Sequence, residues 1–231
     1  MKKYLVPLIC FLLFSASAFS QNIKIQIVAP REFKGRKAIL LTREKGFAAI
    51  VHSIKLNSDI FNLEIAGDLV PDLYQLHVSQ VKGSLLFFLE SGAKIQLDTT
   101  DVSKSIVTNS KSNPEWILFQ DHIQKPYDLK INDYSQGEKR ARKERNADSL
   151  NFWVDKQVAE KEDLVKKTGE YIARHLDSYV SLYLLKINWY AFKNDKLFER
   201  LDRTLASHRT YKFLEEKNRK TEKSGALGQH L

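Results

Sequence analysis

At 231 residues the chain is long enough for one large domain or two small ones, each with its own apolar core. Its single cysteine, Cys10, excludes an intrachain disulfide, so stability rests on apolar packing. The net charge of +9 raises nucleic acid or an anionic surface as a partner, a question that the placement of the basic residues decides better than their total.

Residues 1 to 20 read as a cleavable secretory leader. Lys2 and Lys3 give a basic start, Leu5 to Phe14 an apolar stretch, and Ala18 and Ser20 the small residues ahead of a cut between Ser20 and Gln21. A bilayer span needs about 20 apolar residues, and this stretch meets Ser15 and Ser17 first, which disfavours an uncleaved anchor. Cys10 lies inside the apolar stretch behind Ile9, where a lipoprotein cleavage site would carry a small residue, so a lipid anchor is not expected. Cleavage takes away two lysines and no acid, lowering +9 to +7, and removes the cysteine. Thiol chemistry is then excluded for the mature chain acting alone.

From Gln21 to about Ser110 the apolar period is two. Ile23, Ile25 and Ile27 alternate with Lys24 and Gln26 and share one face of a strand. Ala38 to Thr42, Ala48 to Leu56, Ile60 to Ile65, Leu73 to Val78, Leu85 to Leu89 and Lys94 to Asp98 are further strand candidates. Turn chemistry separates them at Lys34-Gly35, Lys45-Gly46, Asn57-Ser58-Asp59, Gly67-Asp68, Lys82-Gly83 and Ser91-Gly92. Short strands with no helical period between them predict an antiparallel β-sandwich or partly open barrel over residues 21–112. Leu85 to Leu89 is apolar on both faces, which predicts a central strand.

Beyond Asn113-Pro114 the period becomes helical, and residues 113–220 read as a helical region, giving an α+β fold overall. Trp116, Phe119 and Ile123 share a face of a first helix, with Asn113 as its cap and Pro114 in its first turn. Pro126 to Gly137 reads as a polar connection and Glu138 to Thr168 as one long charged helix, with Leu150, Val154, Val158 and Val165 as a narrow buried stripe ending at Gly169. A more apolar helix follows, with Ile172, Leu176, Tyr179, Tyr183, Ile187 and Tyr190 on one side, and Asp177 and Ser178 offering a cap that would divide it. Leu197, Phe198, Leu201 and Leu205 mark another helix, and Phe213 and Leu214 the last. Residues 221–231 read as a frayed tail or linker.

Catalytic signatures are absent: no phosphate-binding glycine loop, dinucleotide fingerprint, nucleophile elbow or H-E-x-x-H is present, and no cofactor site is indicated. His52 and His77 fall in strand candidates and would share a metal only if brought together; half-exposed strand histidines are the simpler account. Asp98 and Asp101 form an acid–base pair or a turn, and a turn explains them with less. Lys139, Arg140, Arg142, Lys143 and Arg145 form the densest basic run, broken by Glu138 and Glu144 and without interleaved aromatics. This disfavours nucleic acid and leaves a solvated helical face, an acidic partner or lipid head groups. Trp116, Phe119, Phe152, Trp153, Tyr171, Tyr179, Tyr183, Trp189, Tyr190 and Phe192 cluster in the helical half, as packing requires or as a sugar- or peptide-binding groove would.

Two stretches carry a family resemblance. The first is Leu73-Tyr74-Gln75-Leu76, Leu86-Phe87-Phe88-Leu89-Glu90-Ser91-Gly92 and Lys94-Ile95-Gln96-Leu97; the second is Tyr171-Ile172-Ala173-Arg174-His175 leading into Asp177-Ser178-Tyr179-Val180-Ser181-Leu182-Tyr183-Leu184-Leu185. Together they resemble the domain of unknown function that precedes a thioredoxin-like domain in exported thiol:disulfide oxidoreductases of certain Gram-negative bacteria. Leu176 stands where that family often carries a proline. The resemblance implies a periplasmic or envelope location, and Gly225 to Leu231 looks like the approach to the redox domain. The family's C-x-x-C has no matching position, so no redox residue carries over. The expectation is an accessory module that binds a protein partner or positions a redox domain. A carbohydrate- or peptide-binding protein is the alternative, and a hydrolase with an unrecognised site a weaker third.

Overall fold

The computed structural model describes residues 23–42, 49–65 and 71–228, with side chains to Glu222. The leader with Cys10 and the Ser20–Gln21 junction, His230, and the turns at Lys45-Gly46 and Gly67-Asp68 lie outside the described residues. The architecture is α+β: two four-stranded sheets, not closed into a barrel, followed by helices.

The strands are β1 (Ile23–Val28), β2 (Lys37–Thr42), β3 (Ala49–Lys55), β4 (Ile60–Ile65), β5 (Asp72–Val78), β6 (Leu85–Leu89), β7 (Lys94–Gln96) and β8 (Ile106–Thr108). One sheet has the order β4-β1-β7-β8 and the other β3-β2-β5-β6. Alternation places Ile23, Ile25 and Ile27 of the first sheet against Leu40, Leu76 and Phe87 of the second in one shared core. The expectation of antiparallel pairing fails at one ladder: β1 and β7 are parallel, with Ile27 opposite Ile95, because the chain visits the second sheet before returning. Three-residue β8 is too short to show a period.

The strand β6 is not central, as its two-faced apolarity predicts, but lies at the edge of its sheet. Its second apolar face has another cause. Phe87 points into the sandwich, while Phe88 is fully buried among the helices, edge-on to Trp116 at 5.8 Å and to Tyr183 at 5.8 Å. The second sheet is therefore the middle layer of three, covered by helices on its outer face.

The helices are α1 (Ser112–Phe119), α2 (Lys125–Glu144), α3 (Ala147–Arg174), α4 (Tyr179–Ile187), α5 (Trp189–Phe192), α6 (Leu197–Arg200) and α7 (Arg209–Gly228), with a π-helical turn at Gln120–Gln124 joining α1 to α2. The expected polar connection over 126–137 is helical. The expected single helix over 138–168 is instead broken at Arg145, whose φ of 55° turns the chain into α3. Gly169 lies within α3, its Cα facing Phe192, and does not end the helix. Ser178 does divide the following segment, accepting from the Val180 and Ser181 N–H groups. The last helix continues through the expected tail to Gly228.

Asn113 does not cap α1. Ser110 Oγ accepts from the Asn113 backbone N–H at 3.1 Å, which frees the Asn113 carboxamide. That carboxamide lies against the open edge of β6, accepting from Phe88 N–H at 2.8 Å and donating to Phe88 C=O at 2.7 Å. The amide thus substitutes for a neighbouring strand at a buried point. Glu90 holds the approach, accepting from Ser110 Oγ and from Ser112 Oγ at 2.6 Å. Asn113→Ala leaves two buried main-chain groups unpaired and is expected to lower unfolding free energy by about 3 kcal/mol in urea denaturation. Asn113→Asp retains the acceptor but sets a carboxylate against the Phe88 carbonyl, and is expected to be no milder.

Candidate interaction surface

The helices α2 and α3 form an antiparallel hairpin in which α2 packs mainly on its partner. The inward line of α2 is Tyr127, Ile131, Tyr134, Gly137 and Ala141; that of α3 is Leu150, Trp153, Gln157, Glu160 and Leu164. Steps are all of three or four residues, as in a coiled-coil seam. The sequence stripe Leu150, Val154, Val158 takes only four-residue steps, which drift off the seam, so Val154 and Val158 are exposed while Trp153 and Gln157 turn inward.

Gly137 lets the seam close. A Cβ on it would fall 2.4 Å from Trp153 Cε2, in the middle of the indole rather than at a flexible end. Across the same seam, Gln157 Nε2 donates to Glu138 at 2.7 Å, and Lys130 meets Glu160 at 2.9 Å.

The basic run sits at the tip of this hairpin. Lys139, Arg140 and Lys143 are exposed, and Arg145 is exposed at the turn itself. Arg142 is drawn aside by Glu138, donating from Nε at 2.8 Å and Nη2 at 2.6 Å. The hydrogen bond from Gln157, followed by those from Arg142, holds the Glu138 carboxyl below its ordinary range. The Asn146 N–H reaches back to Ala141 C=O at 3.0 Å and the Asn146 side chain caps α3 through Ser149 N–H at 3.0 Å, so the turn presenting Arg145 is closed on both sides. Leu129, Phe152, Val154 and Val158 are exposed on the arm below.

The other candidates resolve into structure. His52 is paired with Leu40 and through it aligned with Leu76, whereas His77 is the next residue along β5; the two imidazoles face opposite sides of the sheet and cannot share an ion. No cluster of three metal-ligating side chains exists among the described residues. Asp98 accepts from Thr100 and Asp101 N–H groups at 2.8 and 2.9 Å, and Asp101 from the Ser103 hydroxyl at 2.6 Å and the Ser103 N–H at 3.0 Å; these local bonds hold both carboxyls below their ordinary range. Asp101 also packs on Gly83, whose φ is 73°. Both acids build turns.

The aromatics divide likewise. Trp116, Phe119, Trp189 and Phe192 are buried, whereas Tyr171, Tyr179, Tyr183 and Trp153 are partly so. Burial and the Glu115 carboxylate push the Tyr171 hydroxyl upward. Tyr190 and Ile187, expected on the buried side, are exposed; Tyr190 lies beneath Lys217 and exposed Phe152 beneath Lys156, on separate elements. No helix among the described residues is long and apolar enough to cross a membrane.

One polar cluster escaped the sequence reading. Lys186 on α4 donates to Asp72 on β5 at 2.6 Å, with Asp72 nearly buried, and His208 lies close by. The signal was a lysine inside the apolar run Leu182 to Trp189. His208 Nδ1 accepts from Thr210 N–H at 3.1 Å, so the proton resides on Nε2, which has no partner within hydrogen-bonding distance although the Pro71 carbonyl is near. The adjoining crevice, lined by Asp72, Tyr183 and Lys186 among others, holds about 20 Å³. That is too small for a substrate, and the cluster serves to fasten helix to sheet.

Two outcomes test these assignments. Gly137→Ala in a helix ordinarily stabilises; here it is expected to lower stability by about 1 kcal/mol or more and to shift Trp153 emission. Burial lowers the His208 pKa below its ordinary 6.5, so the unfolded ring takes a proton that the folded ring resists. Stability is full above about pH 6.5 and falls as pH drops from there toward the folded value. The thermal midpoint is expected to decline over that window and to decline less in His208→Gln.

No protein-family model, no curated protein and no solved structure matches the chain.

Proposed function

We propose that the chain is an exported, non-catalytic interaction module of the cell envelope, which docks a protein partner or positions a redox domain through its helical hairpin. The carrying observation is the arm itself: two long helices sealed along a narrow seam, with a closed turn that holds Lys139, Arg140, Lys143 and Arg145 in solvent. Four cations on a rigid tip favour an acidic partner surface, and exposed Phe152, Val154 and Val158 offer apolar contact below them. A carbohydrate groove finds less support, since Trp116 and Trp189 are buried and the exposed rings that meet, Tyr190 and Phe213, are both covered by Lys217.

A photo-crosslinking amino acid placed at Lys143 or Phe152 in the full chain, expressed in its own cells, is expected to give a light-dependent adduct heavier than the monomer. The same group at Lys55, exposed on the far sheet edge, should give none. Reversing Lys139, Arg140, Lys143 and Arg145 to glutamate should weaken the adduct while leaving the thermal midpoint in place. No adduct from either hairpin position, or equal adducts from hairpin and control, overturns the docking role. Thiol-dependent reduction of insulin accelerated by the mature chain overturns the non-catalytic one.

A further inference from the structure

The open edge of β6 holds a second feature beside the Asn113 clamp. Phe88 directs both its N–H and its C=O away from β5, since Asn113 meets both from outside. In an antiparallel ladder such outward residues recur every second position, and the β5–β6 register is unbroken from Leu89 to Leu85. Leu86 therefore also turns its N–H and C=O outward. Among the described residues no group hydrogen-bonds either one. Toward the N-terminal side the edge closes again, where Val102 N–H donates to Lys82 C=O at 2.8 Å.

The window between these closures opens into a groove of about 370 Å³, bordered by Leu86, Val107, Trp116 and Ile117. Leu86, Ile106 and Ile117 are exposed along it by 43%, 61% and 54%. The opposite wall includes β8, the edge strand of the other sheet. Neither β6 nor β8 carries a charged residue, whereas Lys55 and a bulge mark the edge at β3, and Glu64 that at β4. At the rim, Asp121 and Lys125 pair at 2.5 Å, leaving the groove without net charge.

We propose that this window is a strand-addition site for a short, uncharged, extended peptide segment of a partner protein, which pairs with the Leu86 main chain and places an apolar side chain between Ile106 and Ile117. The occupant must present a donor and an acceptor at peptide spacing, as the Asn113 carboxamide does two residues away. Its length is limited to about three or four residues, at about 3.3 Å each, by the closures at Lys82 and Phe88. Those closures also exclude edge-to-edge pairing of two copies along the whole of β6. The inference deepens the reading of the chain as an interaction module by naming a second docking face and its occupant, and it does not depend on the hairpin.

Amide hydrogen exchange at Leu86, followed by NMR in the mature chain, tests it. The probe is acetyl-Thr-Val-Thr-amide at about 1 mM, a concentration suited to weak peptide binding. Capture of the Leu86 N–H is expected to slow its exchange by about twofold for a dissociation constant near 1 mM, and by more if binding is tighter. The same peptide N-methylated at alternate amides should have no effect. Ile106→Asp charges the groove without touching β6 and is expected to abolish the slowing. Unchanged Leu86 exchange with the probe, equal slowing by the N-methylated peptide, or slowing that persists in Ile106→Asp overturns the proposal. Concentration-dependent protection without peptide also overturns it, in favour of a second copy. Failure of the hairpin to crosslink leaves these outcomes untouched, and their failure leaves the crosslink untouched.

Discussion

The attachment of helices to sheet turns on one amide. An edge strand with apolar faces on both sides has buried main-chain groups that neither solvent nor a further strand can reach, and each would weaken the fold if left unpaired. Asn113 resolves this at Phe88 with a donor and an acceptor in the plane of the missing strand. The first helix must then start where it does, because Ser110 and Ser112 are fixed on Glu90, two residues beyond Phe88 and just past the end of β6. Trp116 follows one turn later and meets the Phe88 ring. The position of the helical layer is thus set by polar contacts of high directionality, with apolar burial supplying the bulk of the attraction.

Much of this was legible in the sequence, and the failures have specific causes. Period-two alternation locates Ile23 to Ile27 and Leu73 to Val78 because each has a buried face that repeats over several residues. The same rule misplaced β6 as central: periodicity reports that a face is covered, and a helix covers it as well as a sheet does. The helix over Lys125–Glu144 was hidden because its seam is built from Tyr127, Tyr134, Gly137 and Ala141, which do not stand out as an apolar stripe. Asn113 read as a cap because asparagine before proline and an apolar run fits that role. Only the backbone direction of β6 shows that its side chain has a stronger claim elsewhere.

The candidate surfaces were legible to different degrees for the same reason. A run of basic residues is visible in one dimension, but which of its members are free depends on neighbours. Glu138 withdraws Arg142, and the left-handed turn at Arg145 carries the chain around so that the run ends at an apex instead of continuing along a helix. The groove at β6 was invisible, because it is made from the main chain of Leu86 and from residues 20 to 31 positions away, Ile106 and Ile117. The Asp72–Lys186 pair spans 114 residues and left only a lysine out of place.

These contacts also separate the molecule into parts that depend on the sheet to different extents. The clamp at Phe88 and the Lys186–Asp72 bond both join helices directly to the middle layer, so the α1 and α4 helices share its stability. Among the described residues the hairpin joins the rest chiefly at its base, through the π-helical turn after α1, through Gly169 against Phe192, and through Tyr171, whose hydroxyl donates to Glu115 at 2.9 Å beside buried Ile172. Its outer half is held by its own seam. A substitution such as a side chain at Gly137 should therefore be felt along α2 and α3 and fade toward the sheet, whereas disruption of the clamp reaches every helix packed on Phe88. A molecule built this way can alter the residues of its arm without disturbing the core that carries it.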